Sequence, residues 1–328
     1  RRALLAGEVR TGRALIRGDL DHFPFRNGGG RFEAVAWIEE VELKYLEDWP
    51  EVSQVSAVAR FVGPSFEAVG QAGDTAGSAV DFVRARIRDM KQAELEVEYR
   101  TESDLPALLD FLQQTPLQRQ VGIDLEQFEF AGSASVAGAI RAPLGSTPGE
   151  LSVDGVVELD GGGFREPRQE ITIEQVSGAL RYDERGFFGE GLEAFALGSP
   201  ATLDIMASAD GREKFRAAIQ GNFPARDVLT DEDLRNTLGL LDRMEGSSDW
   251  SIALVVASDD RNPEARVDLV ARSDLVGVRL GLPQPFDKAP ADSWPFELNY
   301  PLDGSGRPLD ILILDRAAIR LMLSLIHI

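Results

Sequence analysis

The sequence has no cysteine, only two histidines and only four lysines among its 34 basic residues. Without cysteine the chain has neither a disulfide framework nor a thiolate metal site. It also lacks any run near the roughly 18 apolar residues that a membrane-spanning helix requires, so no such helix is predicted within this stretch.

Positive charge is scarce as well. The chain has 55 acidic against 34 basic residues and a net charge of −21. Binding a phosphate backbone requires a basic footprint, so this balance argues against a nucleic-acid partner. It also repels anionic membrane surfaces over most of the protein.

Motifs for catalysis are missing too. The chain has no nucleophile elbow, no His-Glu-x-x-His pair, no Walker sequence and no EF-hand loop. His22, flanked by Phe23-Pro24-Phe25, is predicted to be a turn residue rather than a general base. We therefore predict no catalytic residue, no cofactor, no metal site and no enzymatic activity.

What the chain does have is alternation with a period of two. Leu203 and Ile205 alternate with polar neighbours, and Leu95 and Val97 alternate with glutamates. This period predicts strands that have one apolar and one wetted face, and their close succession predicts a long antiparallel sheet.

The alternation and the turn residues predict the following strands: 3–16, 32–41, 52–62, 66–69, 79–87, 93–100, 128–130, 134–140, 151–159, 170–173, 176–182, 188–197, 201–207, 214–221, 251–257, 266–271, 275–282, 295–300 and 309–314. Asp160-Gly161, Asp210-Gly211 and Asp303-Gly304 are predicted as hairpin turns, and the glycines after Asn27 and Asp160 as loose tips.

Helical spacing is found at two places only. Leu105–Gln114 has a leucine stripe, a capping aspartate at Asp104 and Pro106 in its first turn. Residues 231–244 follow Thr230 with three acidic residues, which favours a helix start. Two or three short helices are therefore expected, covering an edge or an end of the sheet.

The apolar face of these strands must be covered by something. In an ordinary β-sandwich a second sheet would cover it. In a trough the apolar contact would come from a bound ligand. The periodicity alone leaves both architectures open.

Several short sequence segments resemble those of the YhdP family, the AsmA-like and TamB-related envelope proteins of Gram-negative bacteria. In the first part of the chain these are Gly18–Phe25 with its Phe-Pro-Phe run, Arg31–Ala34, and Tyr45 followed by Trp49-Pro50.

Further phrases follow in the family's order. They are Gly178–Tyr182 leading to Leu192–Ala194 and Leu197–Pro200, and Ser273–Val278 leading to Leu282–Lys288. The similarity extends over about residues 10–315, and this shared order carries the resemblance.

The resemblance implies a mainly β fold, in which a long antiparallel sheet curls into an elongated U-shaped groove. It implies intermembrane phospholipid transport across the periplasm, with acyl chains, the inner membrane and the outer membrane as partners, together with unknown proteins at each membrane. The chain would be the periplasmic region of an inner-membrane-anchored protein, with its anchor outside this fragment. The apolar register then gives a predicted groove lining, here called the lining set: Leu95, Val97, Val176, Leu180, Tyr182, Leu192, Ala194, Leu203, Ile205, Ile252, Leu254, Val267 and Leu269.

Two other functions are compatible with the residues. One is a scaffold or chaperone for outer-membrane protein assembly, whose open strand edges would pair with client strands. The other is a β-sandwich that binds or hydrolyses glycans. Residues 1–322 are expected to form one continuous β-groove region, with possible sub-units 1–116 and 117–322, and residues 323–328 are expected to be an adapter-derived scar.

Overall fold

The computed structural model describes residues 4–44, 50–71, 73–75, 77–115, 129–145, 147–166, 171–208, 212–228, 243–259, 262–284, 287–302, 307, 309–313 and 317–321. The chain divides into two compact units. Unit 1 comprises residues 1–118, 133–158 and 181–184, and unit 2 comprises residues 119–132, 159–180 and 185–328.

Strands dominate both units, and they form one 18-stranded sheet and one two-stranded sheet. In chain order the strands are β1 Leu4–Gly18, β2 Gly30–Leu43, β3 Val52–Val62, β4 Ser65–Gln71, β5 Gly73–Thr75, β6 Ser78–Ile87, β7 Glu94–Asp104, β8 Glu129–Pro143, β9 Ser152–Glu166, β10 Ile171–Asp183, β11 Gly186–Ala196, β12 Ser199–Ser208, β13 Glu213–Pro224, β14 Met244–Glu245, β15 Ser247–Asp259, β16 Asn262–Ser273, β17 Arg279–Leu280, β18 Phe296–Pro301, β19 Leu309–Ile313 and β20 Ala317–Leu321.

The pairing is that of an antiparallel meander. β1, β2 and β3 each pair with the next strand, as do β6 and β7. β5 continues the path of β4, since both lie between β3 and β6. In unit 2 the order is β11, β12, β13, β15, β16, β18, β19 and β20. The described residues therefore form one large sheet and one two-stranded sheet, and not the two large sheets of a β-sandwich.

One α-helix lies among the described residues, α1 at Leu105–Gln113, and it matches the predicted 105–114 segment. It starts directly after β7, where Oδ1 of Asp104 accepts a hydrogen bond of 2.7 Å from the backbone N–H of Ala107. The helix packs against β6 and β7 and buries none of its residues fully. None of the described helices has the length and apolarity needed to cross a bilayer.

The second predicted helix, 231–244, lies outside the described residues except for its last two positions, of which Met244 belongs to β14. The hairpin turns predicted at 210–211 and 303–304 and the suggested scar at 323–328 also lie outside the described residues. His22 occupies the predicted turn, at the end of a short 3-10 helix, Leu20–His22.

Two local predictions were wrong. Asp160-Gly161 is not a hairpin, and its glycines are not a tip, because both lie inside the long strand β9. There Gly161 has φ +65°, and its N–H donates to the Ser177 hydroxyl at 3.1 Å. The Leu275–Leu282 segment is not a strand apart from the two residues of β17. Its apolar spacing arises because Leu275, Val278 and Leu280 are buried by a folded loop.

Elsewhere strands extend further than predicted. The separate segments 128–130 and 134–140 are one strand, β8, and 170–173 and 176–182 are one strand, β10. Gly132 and Gln175 lie at the interruptions and have positive φ angles of +102° and +54°. These residues bend the strands without ending them.

Candidate functional site

The apolar side chains of unit 2 stand opposite one another from strand to strand. Directly paired residues of an antiparallel sheet project to the same face. One row of such pairs, here called the buried row, crosses seven strands: Leu192, Leu203, Ile219, Ile252, Ala271, Leu298 and Ile311. Every member is at most 8% exposed, so water is excluded from this row.

A second row lies next to the first on the same face, two residues along each strand. This half-buried row contains Ile205, Ala217, Leu254, Leu269 and Tyr300. All five are apolar or aromatic and all five are only partly covered. The two rows together are called the apolar face of unit 2.

One end of this face is closed by loops around a buried lysine. The segments that follow β13, β16 and β17 contribute Ala225, Leu275 and Trp294, respectively, to the same hydrophobic cluster as the buried row. Lys288 is 0% exposed. Its ammonium donates to the carbonyls of Leu275 at 2.7 Å, Val278 at 2.9 Å and Ala289 at 3.1 Å.

Burial lowers the pKa of Lys288, although Asp292 and Asp274 nearby oppose that change. The three carbonyls fill the donor capacity of an ammonium group. We therefore assign Lys288 to holding the loop rather than to chemistry.

Unit 1 repeats the pattern with smaller residues. One row across its strands is Gly12, Ala36, Ala59, Ala68, Ala85, Val97 and Ile140. The neighbouring row is Ala14, Ala34, Phe61, Phe66, Ile87, Leu95 and Ala142. These rows form the apolar face of unit 1.

The opposite face of unit 1 is charged, and the sign alternates from strand to strand. Successive paired residues are Arg60, Glu67, Arg86, Glu96 and Arg141. Opposite charges across neighbouring strands stabilise a solvated face modestly and fix its register. This face is therefore the one that meets water.

The apolar face of unit 1 has one polar feature, formed by two tyrosines. Tyr99 on β7 and Tyr182 on β10 bring their hydroxyl oxygens to 2.5 Å from each other. Burial raises the pKa of both phenols, as does the charge of nearby Asp154. Both hydroxyls are therefore neutral at ordinary pH.

The structure divides the lining set between the two units. Ten members lie in unit 2 and three in unit 1, namely Leu95, Val97 and Tyr182. Five are buried: Val176, Leu192, Ala194, Leu203 and Ile252. The other eight are half-buried, and none is exposed: Leu95, Val97, Leu180, Tyr182, Ile205, Leu254, Val267 and Leu269.

Register brings several members of the lining set together. Leu192, Leu203 and Ile252 share the buried row. Ile205, Leu254 and Leu269 share the half-buried row. Val267 pairs with Val256 one step further along the same face.

Residues that sequence reasoning left out complete these rows. Phe215, Ala217 and Ile219 on β13 lie between the chosen positions of β12 and β15. Their alternation is visible in the sequence. Tyr99 continues the alternation of Leu95 and Val97 in the sequence, and only the fold shows that its hydroxyl meets Tyr182.

The described residues contain no group of three His, Asp or Glu side chains placed to hold a metal ion. The geometry is that of a β-sheet protein with one face built from continuous apolar rows. A comparison with family models matches the YhdP protein family over residues 1–324, so the chain belongs to that family.

Among curated proteins, the chain is 21% identical over 307 residues to the intermembrane phospholipid transporter YhdP of Escherichia coli strain K12. The match covers 92% of this chain and 23% of that protein, so the chain spans about a quarter of the relative's length. No solved structure matches the chain.

Proposed function

We propose that this chain is a segment of an envelope protein that carries phospholipid between the inner and outer membranes. In this proposal the lipid's acyl chains contact the apolar face, and the segment contributes no catalytic step. The relative bears the name of an intermembrane phospholipid transporter, and the family match extends over nearly the whole chain.

The observation that carries the proposal is the pair of rows in unit 2. The half-buried row offers five apolar side chains in register across five strands. Each methylene that an acyl chain buries there contributes about 0.8 kcal/mol, so a chain lying along the row gains several kcal/mol without any specific polar contact.

The polar parts of the protein fit the same proposal. The charged face of unit 1 keeps that side of the sheet in water. With a net charge of −21, the protein is unsuited to lie flat on an anionic bilayer surface. We place the segment in the periplasm of a Gram-negative bacterium, in a protein held at the inner membrane by a part outside this chain.

The test is site-specific photocrosslinking in the full-length protein in its own cells. Benzoylphenylalanine at Leu254, which belongs to the half-buried row, should capture phospholipid. The matched control is the adjacent residue Val255, which is also apolar and half-buried but pairs with Arg216 and Asp268 on the opposite face. Both positions are half-buried, so lipid captured at both positions, or at neither, would refute the proposal.

A further inference from the structure

The tyrosine pair of unit 1 lies flat on the sheet over two glycines. β7 and β10 are separated by β8 and β9, a distance of about 14 Å at the usual strand spacing of about 4.8 Å. Tyr99 pairs with Gly138 of β8, and a Cβ added to Gly138 would meet both tyrosine hydroxyls. A Cβ added to Gly155 of β9 would collide with the Tyr182 hydroxyl and ring. The missing side chains therefore make the space that the two phenols fill.

This arrangement places a hydrogen-bonding group inside an otherwise apolar surface. Along β7, Val97 precedes Tyr99 on the same face, and Val97 pairs with Ile140. Both tyrosines remain half-buried, although their hydroxyl oxygens meet each other. A ligand lying on the apolar face can therefore reach the pair.

The two phenols have two hydroxyl hydrogens, and the hydrogen bond between them uses only one. Each phenol has one hydrogen and can accept as well as donate, and the contact between the two oxygens uses one hydrogen only. Within the part of the chain that the structure describes, this contact is the one hydrogen bond found for either hydroxyl. The second hydrogen is available to an acceptor oxygen on a ligand.

We propose that the Tyr99–Tyr182 pair binds the ester carbonyl of a diacyl lipid and so fixes the position of the lipid's glycerol end along the apolar face. This inference rests on the proposed function and adds to it which part of the lipid is recognised. An ester carbonyl is a neutral acceptor that adjoins an acyl chain. A lipid whose chain lies on the apolar rows thus brings that oxygen to the hydroxyls.

A phosphate oxygen suits the pair less well than an ester carbonyl. Binding an anion on an apolar surface requires a positively charged partner. The Asp154 carboxylate and the Arg141 guanidinium form an ion pair of 3.3 Å on the charged face, so neither of them offers an anion a positive partner on the apolar face.

The experiment offers the protein a choice between two lipids that differ only in their ester carbonyls. The full-length protein is incubated with vesicles that contain equal amounts of dioleoyl phosphatidylethanolamine and its dialkyl ether analogue. It is then re-isolated, and the bound lipids are quantified by mass spectrometry. One net hydrogen bond between neutral groups predicts about a two- to tenfold excess of the ester lipid on the wild-type protein.

The variants separate the hydroxyls from the rings. The double variant Tyr99→Phe/Tyr182→Phe keeps both rings over the glycines and should bind the two lipids with an ester-to-ether ratio near one. Thr202→Val also removes a hydroxyl, but from an exposed position that pairs with Glu193 and Gln220 on the opposite face of unit 2, and it should keep the wild-type ratio.

Three results would count against the assignment. A wild-type ratio of one, with lipid bound, overturns it and leaves lipid transport intact, whether or not the double variant folds. If the ester-to-ether ratio stays high in the double variant, other residues recognise the ester, and the assignment to the tyrosine pair is overturned as well. Binding of neither lipid overturns the proposed function together with this inference.

Discussion

At the scale of single residues, the tyrosine pair makes the protein's stability depend on pH. Burial raises the pKa of Tyr99 and of Tyr182 in the folded chain, whereas an unfolded tyrosine ionises near pH 10. Above that pH the unfolded state has lost protons that the folded state still binds. The contribution of the two protonated phenols to the free energy of unfolding is therefore fully present below about pH 10 and decreases as the pH rises above it.

We expect the free energy of unfolding to fall between pH 9 and pH 11 more steeply in the wild type than in Tyr99→Phe/Tyr182→Phe. Urea denaturation at several pH values measures the two slopes. Equal slopes would show that neither phenol keeps its proton in the folded state beyond its ordinary pKa.

At the scale of elements, the stability of α1 depends on the cap at its N-terminus. The Asp104 side chain satisfies the N–H of Ala107, and no residue of the helix is fully buried. A helix with so little buried surface relies on its cap. Asp104→Ala should lower the free energy of unfolding by about 1 kcal/mol, the usual value for the loss of such a cap.

The control for this change is Asp110→Ala, an exposed position in the body of the same helix. It removes the same charge and should change stability by less than about 0.5 kcal/mol. Chemical denaturation of both variants measures the difference. Equal losses would mean that charge, and not the cap, accounts for the effect.

The two rows of unit 2 should respond differently to truncation. Leu203 is 4% exposed in the buried row, so Leu203→Ala should leave a cavity and cost about 2–5 kcal/mol. Leu254→Ala truncates the same side chain in the half-buried row and should lower the free energy of unfolding by clearly less. Denaturation of lipid-free protein tests this order, and a larger loss at Leu254 would contradict the assignment of the two rows.

The strands were readable from the sequence because alternation is a local property. The segment 52–62 was predicted at the bounds that β3 has. Prediction failed where burial came from distant residues. Leu275 and Val278 looked like a strand because their spacing was apolar, yet a loop held by Lys288 buries them. Asp160-Gly161 has the composition of a turn, but it lies inside β9, where Gly161 adopts a positive φ and donates its N–H to Ser177 of β10.

At the scale of the whole molecule, the sequence predicted one long antiparallel sheet with one apolar side, and it predicted the family. It did not give the register. Which leucine stands opposite which isoleucine depends on bulges, such as the shift between Gly189 and Leu192 on β11. Without register, Tyr99 and Tyr182 are two tyrosines 83 positions apart, and nothing local links them.

The meander pairing also determines how the length of such a protein can change. In unit 2, β12 pairs with β11 and β13, the strands directly before and after it in the chain. If two consecutive strands were removed, the next strand would follow the preceding one at the same end of the sheet and run in the same direction as before. The apolar rows of the remaining strands could then join again. The sheet would become shorter by two strand spacings, roughly 9–10 Å. Removing one strand would instead reverse the direction of everything that follows. The number of strands in such a sheet can therefore change in hairpin-sized steps without a redesign of its apolar face.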